Sequence, residues 1–523
     1  MTAGTGARMN AAEAVLAPTL RAGRGGAPAL LWRDRSFTYD QVQEGVNRAG
    51  NALRALGVEP ENRVLMVMSD TPELVFAYLG AMKIGAVAVA ANVRASSADL
   101  LHMLRDSRAK VLLIEARFLP IYGAIRDEVG HPHRVVVHDA EEGEGSELGR
   151  LIAAEPPALA PVMMAPDDMA FWLYTSGTTG AAKAAVHAHR DVLAADAYTG
   201  GVLGVKPGDV LFATSKLFFA YALGNCLFAS FRLGATTVLY DGWPDARTVA
   251  DTVRRYRPSV VFSVPTLYRN MIAEGVAAAE PAFRDVRCYV SAGERLPEAL
   301  WHQWRDATGV EILDGMGTSE TIYMLLSNRP GRVRPGSSGT ATPGTEVRLA
   351  DAEGRDVAPG EPGILWARID SRADRYWNAR DKSQEVFHGP WFRTGDMYRV
   401  DEDGYWHHQG RFDDMLKISG QWVSPAEIEE VVLAETPCTD AAVVGVPDRD
   451  GLPRTALFAV PPSGGFDGAA LEAEIRRVVS ARLSPYKCPK WVRFVNEIPR
   501  TATGKVQRFK LRSEALEGGT PTA

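Results

Sequence analysis

Short apolar runs alternate with helix-length amphipathic ones through much of the chain, and no other feature restricts the fold as much. Residues 64–68, Val-Leu-Met-Val-Met, form a continuous apolar run of strand length. Such runs mark strands buried on both faces. Residues 87–90 and 111–114 repeat the pattern. Between them lie helical spacings. Thr38-Tyr-Asp-Gln41 has the form of a capping box, and Val42, Val46, Ala49, Leu53 and Leu56 follow it before Gly57 stops the run. A second helix is expected over 72–84, ended by Gly85, and a third after Ser97, carrying Leu100, Leu101 and Leu104. Strand and helix in alternation predict parallel β-α-β layers. Residues 139–168 interrupt them with acidic residues over 141–147, then Pro156, Pro157 and Pro161, and read as a surface linker. The alternation then resumes. Helices are expected near 190–198, 218–233 and 246–256, with strands at 210–213, 236–240 and 259–262.

From about Gly331 the texture changes to short strands separated by Gly336, Gly339, Pro343-Gly344, Pro359-Gly360 and Pro362-Gly363, the mark of a β-rich subdomain. Beyond Gly410 another unit is expected, with helices near 425–432 and 471–483 and strands at 441–446, 456–460 and 491–495. The expected fold class is α/β with several subdomains. A large N-terminal portion of parallel-sheet layers and the β-rich subdomain precede a small α+β C-terminal lid. A chain of 523 residues is too long for one ordinary domain.

The bulk numbers mainly exclude. A net charge of −6 gives no general attraction to nucleic acid or acidic membrane. No apolar run is long enough to span a bilayer. Residues 1–26 lack an apolar signal core and read as a frayed start. Cys226, Cys288, Cys438 and Cys488 are far apart, without a Cys-x-x-Cys, which argues against structural zinc or a disulfide framework and for a reducing cytoplasm.

The chemistry concentrates in six stretches. Tyr174-Thr-Ser-Gly-Thr-Thr-Gly-Ala-Ala-Lys183 follows an apolar, aromatic strand pattern. Its glycines permit tight turns, and its hydroxyls and backbone N–H groups can converge on phosphate. It lacks the Gly-Lys-Ser/Thr of a Walker loop, and its plain alternative is a Ser/Thr/Gly surface turn. Ser291-Ala-Gly-Glu294 follows an expected strand and can receive a flat ring, or be an ordinary β-α turn. Asp314-Gly-Met-Gly-Thr-Ser-Glu320 ends in a carboxylate able to hold Mg²⁺ beside triphosphate oxygens, or to start a helix. Thr394-Gly-Asp396 sets a carboxylate where it can accept ribose hydroxyl protons. Gly410-Arg-Phe-Asp-Asp414, with 417–425 after it, is a candidate hinge or a solvated inter-domain loop. Pro499-Arg-Thr-Ala-Thr-Gly-Lys505 offers a lysine to a phosphate or carboxylate, or is a basic tail.

In this order the stretches resemble the adenylate-forming superfamily of acyl-CoA synthetases, peptide-synthetase adenylation domains and luciferases, from about Phe37 to Leu511. Lys216-Leu-Phe-Phe-Ala-Tyr-Ala-Leu-Gly-Asn225, Val264-Pro-Thr-Leu-Tyr268, Leu313-Asp-Gly-Met-Gly317, Leu326-Ser-Asn328 and the segments 485–491 and 508–512 are similar to its benzoate-CoA ligase branch. The resemblance implies an adenylation domain over 1–410, a hinge over 411–414 pivoting at Asp413, and a mobile lid over 415–523. Thr175, Ser176, Gly177, Thr178, Thr179 and Gly180 would wrap phosphates, with Lys183 in support. Ser291, Ala292, Gly293, Glu294, Asp314, Gly315 and Met316 would line the adenine pocket, and Asp396 and Arg411 would bind ribose. Ser319 would touch the α-phosphate, Glu320 would hold the metal, and Lys505 would bridge the substrate carboxylate and the α-phosphate. Ala220, Tyr221, Gly315, Gly317, Ile322 and Tyr323 would form the acyl pocket. Gly420 and Trp422 would line the thiol channel. ATP, Mg²⁺ and coenzyme A would be required, with a small aromatic acid as substrate and a monomer or homodimer as the working form. An acyl carrier protein is the alternative acceptor, and a non-catalytic binding protein the alternative class. Ala182 and Ala184 replace the proline and glycine usual beside the loop lysine, and Tyr323 stands where the branch has a histidine.

Overall fold

The apolar runs become parallel strands of two sheets. A computed structural model describes residues 8–175, 182–418, 421–449, 451–462, 464–500 and 506–517. They divide into two compact units. The first comprises Met1–Leu296, Leu300–Val347 and Ala367–Phe392, and the second Pro297–Ala299, Arg348–Trp366 and Arg393–Ala523.

The seven-stranded sheet of the first unit runs, in spatial order, Arg375–Tyr376, Lys183–Ala188, Met169–Thr175, Val87–Ala90, Arg63–Val67, Val111–Glu115, Arg134–His138. Its strands are parallel from Met169–Thr175 onward; Lys183–Ala188 runs antiparallel to these, and Arg375–Tyr376 pairs antiparallel to Lys183–Ala188. The nine-stranded sheet runs Thr340–Ala341, Met324–Ser327, Ile312–Gly317, Cys288–Ser291, Val260–Ser263, Val210–Ala213, Thr236–Leu239, Pro28–Trp32, Arg35–Thr38. Six consecutive strands, from Ile312–Gly317 to Pro28–Trp32, are parallel.

Helix Tyr39–Ala55 starts on the capping box of Thr38 and Gln41, with both reciprocal hydrogen bonds formed. It packs on helix Pro72–Lys83, every residue of which is buried. The two approach so closely that a Cβ on Gly80 would stand 2.8 Å from Gly50 N. Such spacing excludes any larger residue there.

Several expectations are corrected. Residues 11–21 are not frayed but form helix Ala11–Arg21, because Asn10 caps it and its Nδ2 donates to Met82 O and Val162 O, each at 2.9 Å. Ser96, not Ser97, caps helix Ser97–Ser107, through a capping box with Asp99. The linker contains helix Glu147–Ala154, capped by Ser146 and anchored by buried Leu148 and Ile152. The helix expected near 190 is instead a 3₁₀ segment His189–Ala194 and a short helix Ala195–Thr199. That over 218–233 is short α-helix at its two ends, with a π-helical stretch Leu223–Ala229 between.

In the second unit, residues 396–400 of strand Trp391–Val400 pair antiparallel with Trp406–Arg411. A three-stranded sheet follows, Asp440–Pro447 antiparallel to Pro453–Val460 and the latter parallel to Trp491–Phe494. Helices Pro425–Glu435 and Gly468–Arg482 share a core with it through Ile428, Val432, Ile475 and Val479. All four cysteines are free; Cys226, Cys288 and Cys438 are buried and Cys488 is half-buried.

Candidate active site

In the first unit, polar side chains gather at the carboxyl ends of the parallel strands, the place where open α/β sheets bind ligands. Ser263, Ser291 and Asp314 stand side by side in register on three adjacent strands of the nine-stranded sheet. Thr214 extends the row, its hydroxyl 2.9 Å from that of Ser263. Asp314 is almost fully buried, and burial pushes its carboxyl up from the ordinary 3.8 to about 8, against the pull of nearby Ser291 and Arg295. Its Oδ1 has no hydrogen-bond partner among the described residues. Ala292 is buried beyond Ser291, and Glu294 accepts from Thr266 Oγ1 at 2.8 Å.

Gly315, Met316 and Gly317 continue the strand from Asp314 and pair with Met324–Ser327. A Cβ on Gly315 would lie 2.6 Å from Leu326 O, so only glycine admits that pairing. Beside this edge Ala220 is buried, and Tyr221 donates to Val290 O at 3.0 Å. Its ring meets Phe262 edge to face, with centroids 5.7 Å apart. An aromatic wall thus stands against the strand end that carries Ser291.

The turn after this strand carries Ser319 and Glu320. Glu320 Oε1 accepts from Tyr376 OH at 2.7 Å, and Ser319 O contacts His187 Nε2 at 2.8 Å. Ile322 holds φ at +58°, strained backbone for a β-branched residue and the kind of strain that collects at functional sites. Ile322 and Tyr323 are both buried in the core that holds Tyr78 and Phe228. A Cβ on Gly224 would come 3.0 Å from the Tyr323 ring.

Thr175 ends strand Met169–Thr175, and Lys183, directly opposite it, opens the returning strand. Ser176, Gly177, Thr178, Thr179 and Gly180 lie outside the described residues, as do Lys505 and Gly420. Helix Ser97–Ser107 holds both flanks of that loop: Asp106 Oδ2 accepts from Tyr174 OH at 2.9 Å, and His102 Nε2 is 2.8 Å from Ala182 O. One carboxylate on a fixed turn suits Mg²⁺, which usually takes one or two carboxylates and completes its shell with phosphate oxygens and water. No cluster of three or more potential ligands exists among the described residues.

In the second unit, Asp396 and Arg411 face each other in register and form an ion pair at 2.9 Å. His408 Nε2 reaches the other carboxylate oxygen at 3.4 Å. Asp413 is exposed in the 3₁₀ turn Phe412–Asp414. Trp422 belongs to strand Gln421–Val423, opposite Lys417.

The model of the AMP-binding enzyme family matches residues 20–377, and that of the AMP-binding enzyme C-terminal domain matches 427–505. The chain belongs to the AMP-binding enzyme family. Within it, this AMP-binding enzyme is 47% identical over 512 residues to the 3-hydroxybenzoate–CoA ligase of Aromatoleum sp. (strain CIB), covering 98% of each chain. It is 41% identical to the benzoate–CoA ligase of Thauera aromatica, over 97% of this chain and 96% of that one. Its fold matches the crystal structure of the anthranilate CoA ligase AuaEII in complex with anthranoyl-AMP with a TM-score of 0.90, at 37% identity and 98% coverage of both chains. These likenesses put the AMP-binding enzyme on the benzoate-CoA ligase branch. No helix among its described residues is long and apolar enough to cross a membrane.

The sequence reading missed His187, Asp191, Tyr376, His102 and Asp106, all of which brace the segments it singled out. His187 sits only four residues beyond Lys183, but a histidine in an apolar strand carries no signal until its partner strand and the turn at Ser319 are known.

Proposed function

We infer that the protein activates a small aromatic carboxylic acid, benzoate or a hydroxybenzoate, with ATP and transfers the acyl group to coenzyme A. The near full-length likeness to the 3-hydroxybenzoate–CoA ligase carries this reading. The flat, aromatic-walled end of strand Cys288–Ser291 beside Gly315 supports it. A substrate carboxylate oxygen attacks the α-phosphorus of ATP, the bond to pyrophosphate breaks, and an acyl-adenylate results. The thiol of coenzyme A then attacks the acyl carbon and expels AMP. The first step concentrates negative charge on the α-phosphate. The residues that answer that charge act by position and electrostatics, not by covalent chemistry.

On this reading Ser319 meets the α-phosphate, and Glu320 holds Mg²⁺, which when bound neutralises phosphate charge. Ser291 to Glu294 and Asp314 to Met316 receive adenine. Asp396 and Arg411 take the ribose, and Lys505 bridges the carboxylate and the α-phosphate. Asp413 is the pivot between a portion ending near residue 410 and a lid beginning near 415. Gly420 and Trp422 serve the thiol. The protein works in the cytoplasm, as a monomer or homodimer.

A panel of aryl and alkyl acids, assayed for pyrophosphate release with and without coenzyme A, tests the assignment. Benzoate and 3-hydroxybenzoate should lead in kcat/KM and form a thioester with free coenzyme A. A preference for acetate or decanoate would remove the aryl assignment. Pyrophosphate release without thioester formation would move the acceptor to a carrier protein.

A further inference from the structure

His187 is fully buried on strand Lys183–Ala188, the strand that Lys183 opens. Its cross-strand partner is Phe171, and the rings stack at 4.8 Å with planes 6° apart. The stack fixes the plane of the imidazole, and two contacts fix its rotation. Nδ1 lies 2.9 Å from Asp191 Oδ2, and Nε2 lies 2.8 Å from the carbonyl oxygen of Ser319. A carbonyl can only accept, so Nε2 carries a proton and donates it to Ser319 O. The Asp191 carboxylate faces the other nitrogen and holds the ring from that side. Asp191 Oδ2 is itself fixed by the N–H of Ala188 at 3.0 Å.

The carbonyl that His187 captures is the first of three held in succession. Glu320 O accepts from Ala373 N, and Thr321 O accepts from the Ser371 hydroxyl, each at 2.7 Å. The latter two donors come from the segment before strand Arg375–Tyr376. His187 alone comes from the strand that follows the phosphate loop. One ring therefore connects the strand of Lys183 to the peptide between Ser319 and Glu320.

We propose that His187, oriented by Asp191, is a positioning residue for adenylate formation, setting where Ser319 and Glu320 stand relative to the strand that leaves the phosphate loop. This rests on the reading that the turn at 319–320 serves Mg·ATP. Partners that orient metal-binding or catalytic groups from behind are worth about 10–100-fold in affinity or activity. Neither His187 nor Asp191 touches substrate. Their effect is confined to the half-reaction in which the α-phosphate is attacked.

The test uses the full-length protein and His187→Leu, His187→Gln, Asp191→Asn and Glu320→Gln. Single-turnover pyrophosphate release from benzoate and Mg·ATP reads the first step. Synthetic benzoyl-adenylate with coenzyme A reads the second. Calorimetric titration with Mg·ATP reads binding, and thermal melting reads the fold. His187→Leu should slow the first step by about 10–100-fold and weaken Mg·ATP, while leaving the second step within about twofold. His187→Gln, which keeps an N–H donor, should recover much of the loss, and Asp191→Asn should fall between. Equal slowing of both steps, or losses that follow melting temperature with no recovery in His187→Gln, would overturn the positioning role. A normal first step in His187→Leu alongside a crippled Glu320→Gln would also overturn it and leave the nucleotide assignment standing. A normal first step in both would bring that assignment down too.

Discussion

Two carboxyl groups, one at the mouth of each parallel sheet, show how differently the two mouths are built. Asp70 follows strand Arg63–Val67 of the seven-stranded sheet, and Asp314 lies in strand Ile312–Gly317 of the nine-stranded one; each is 5% exposed. Burial raises both, Asp70 to about 6 and Asp314 to about 8. Equal burial with unequal outcome points to the partners. Asp70 has the ammonium of Lys216 at 3.9 Å and accepts from Leu217 N at 3.1 Å. Asp314 has nothing as strong, and its Oδ1 is unsatisfied among the described residues. The seven-stranded mouth is completed by the protein itself. The nine-stranded mouth leaves a demand that a ligand with N–H donors can meet, and an unmet buried acceptor costs roughly 1–3 kcal/mol.

Lys216→Met breaks the comparison most severely. It would leave Asp70 buried without its counter-charge, and it would also remove the bond from Lys216 to Tyr240 O. Breaking one side of a buried pair costs about 3–5 kcal/mol, so chemical denaturation should show a loss of that order near pH 7. Lys216→Met/Asp70→Asn should recover part of it.

The next effect is a dependence on pH. For a carboxyl raised in the fold, the native state binds more protons than the unfolded chain between the two pKa values, so stability falls as pH rises through that window. For Asp314 the window runs from the ordinary 3.8 to about 8, and for Asp70 from the same value to only about 6. Asp314→Asn should therefore flatten the decline across the whole range, and Asp70→Asn only its lower part. Denaturation midpoints from pH 5 to 8 check this, and equal slopes in the two variants would dissolve the distinction.

Asp314→Ala sharpens it in function. Removing the unsatisfied acceptor should raise KM for ATP about tenfold, the worth of roughly 1.4 kcal/mol, and leave KM for coenzyme A unchanged. Initial-rate kinetics decide. The smallest effect is expected at Asp106→Asn, on the self-completed side. The carboxylate there accepts from Tyr174 OH at 2.9 Å and Asn378 Nδ2 at 3.0 Å. An amide retains one acceptor, so the loss should be about 1 kcal/mol or less in stability, read from the melting transition.

Much of this architecture is visible in the residues themselves. Runs such as 64–68, 87–90 and 111–114 are too short and too uniformly apolar for anything but buried strands, and they became neighbours in one sheet. The Thr38–Gln41 cap is local chemistry, complete within four residues, and was readable for that reason. Helix Glu147–Ala154 was hidden because it is only eight residues long between an acidic stretch and prolines, so the helical spacing of Leu148, Leu151 and Ile152 is over almost as soon as it begins. The π-helical turn at Leu223–Ala229 comes from packing: Gly224 lets the chain lie against Tyr323, a contact made across about a hundred residues. Of the candidate site, the segments over 291–294 and 314–320 were picked out by their glycines and carboxylates. The side chains that hold them, His187 and Tyr376, were not, because each acts through a long-range hydrogen bond that no spacing along the chain encodes.

The disposition of the four thiols has a use in spectroscopy. Cys226 and Cys288 are sealed in the first unit, where burial raises their pKa, that of Cys288 to about 12, and Cys438 is buried in the second. A thiol reacts as its thiolate and only where a reagent can reach it. Cys488, half-buried at the end of the 3₁₀ turn Pro485–Lys487, is the sulfur that a maleimide dye should find first. The native chain thus carries a preferred attachment point for a fluorophore on its second unit. Energy transfer from such a label to a fluorescent ATP analogue would test whether that unit moves during catalysis, without a cysteine being added or removed.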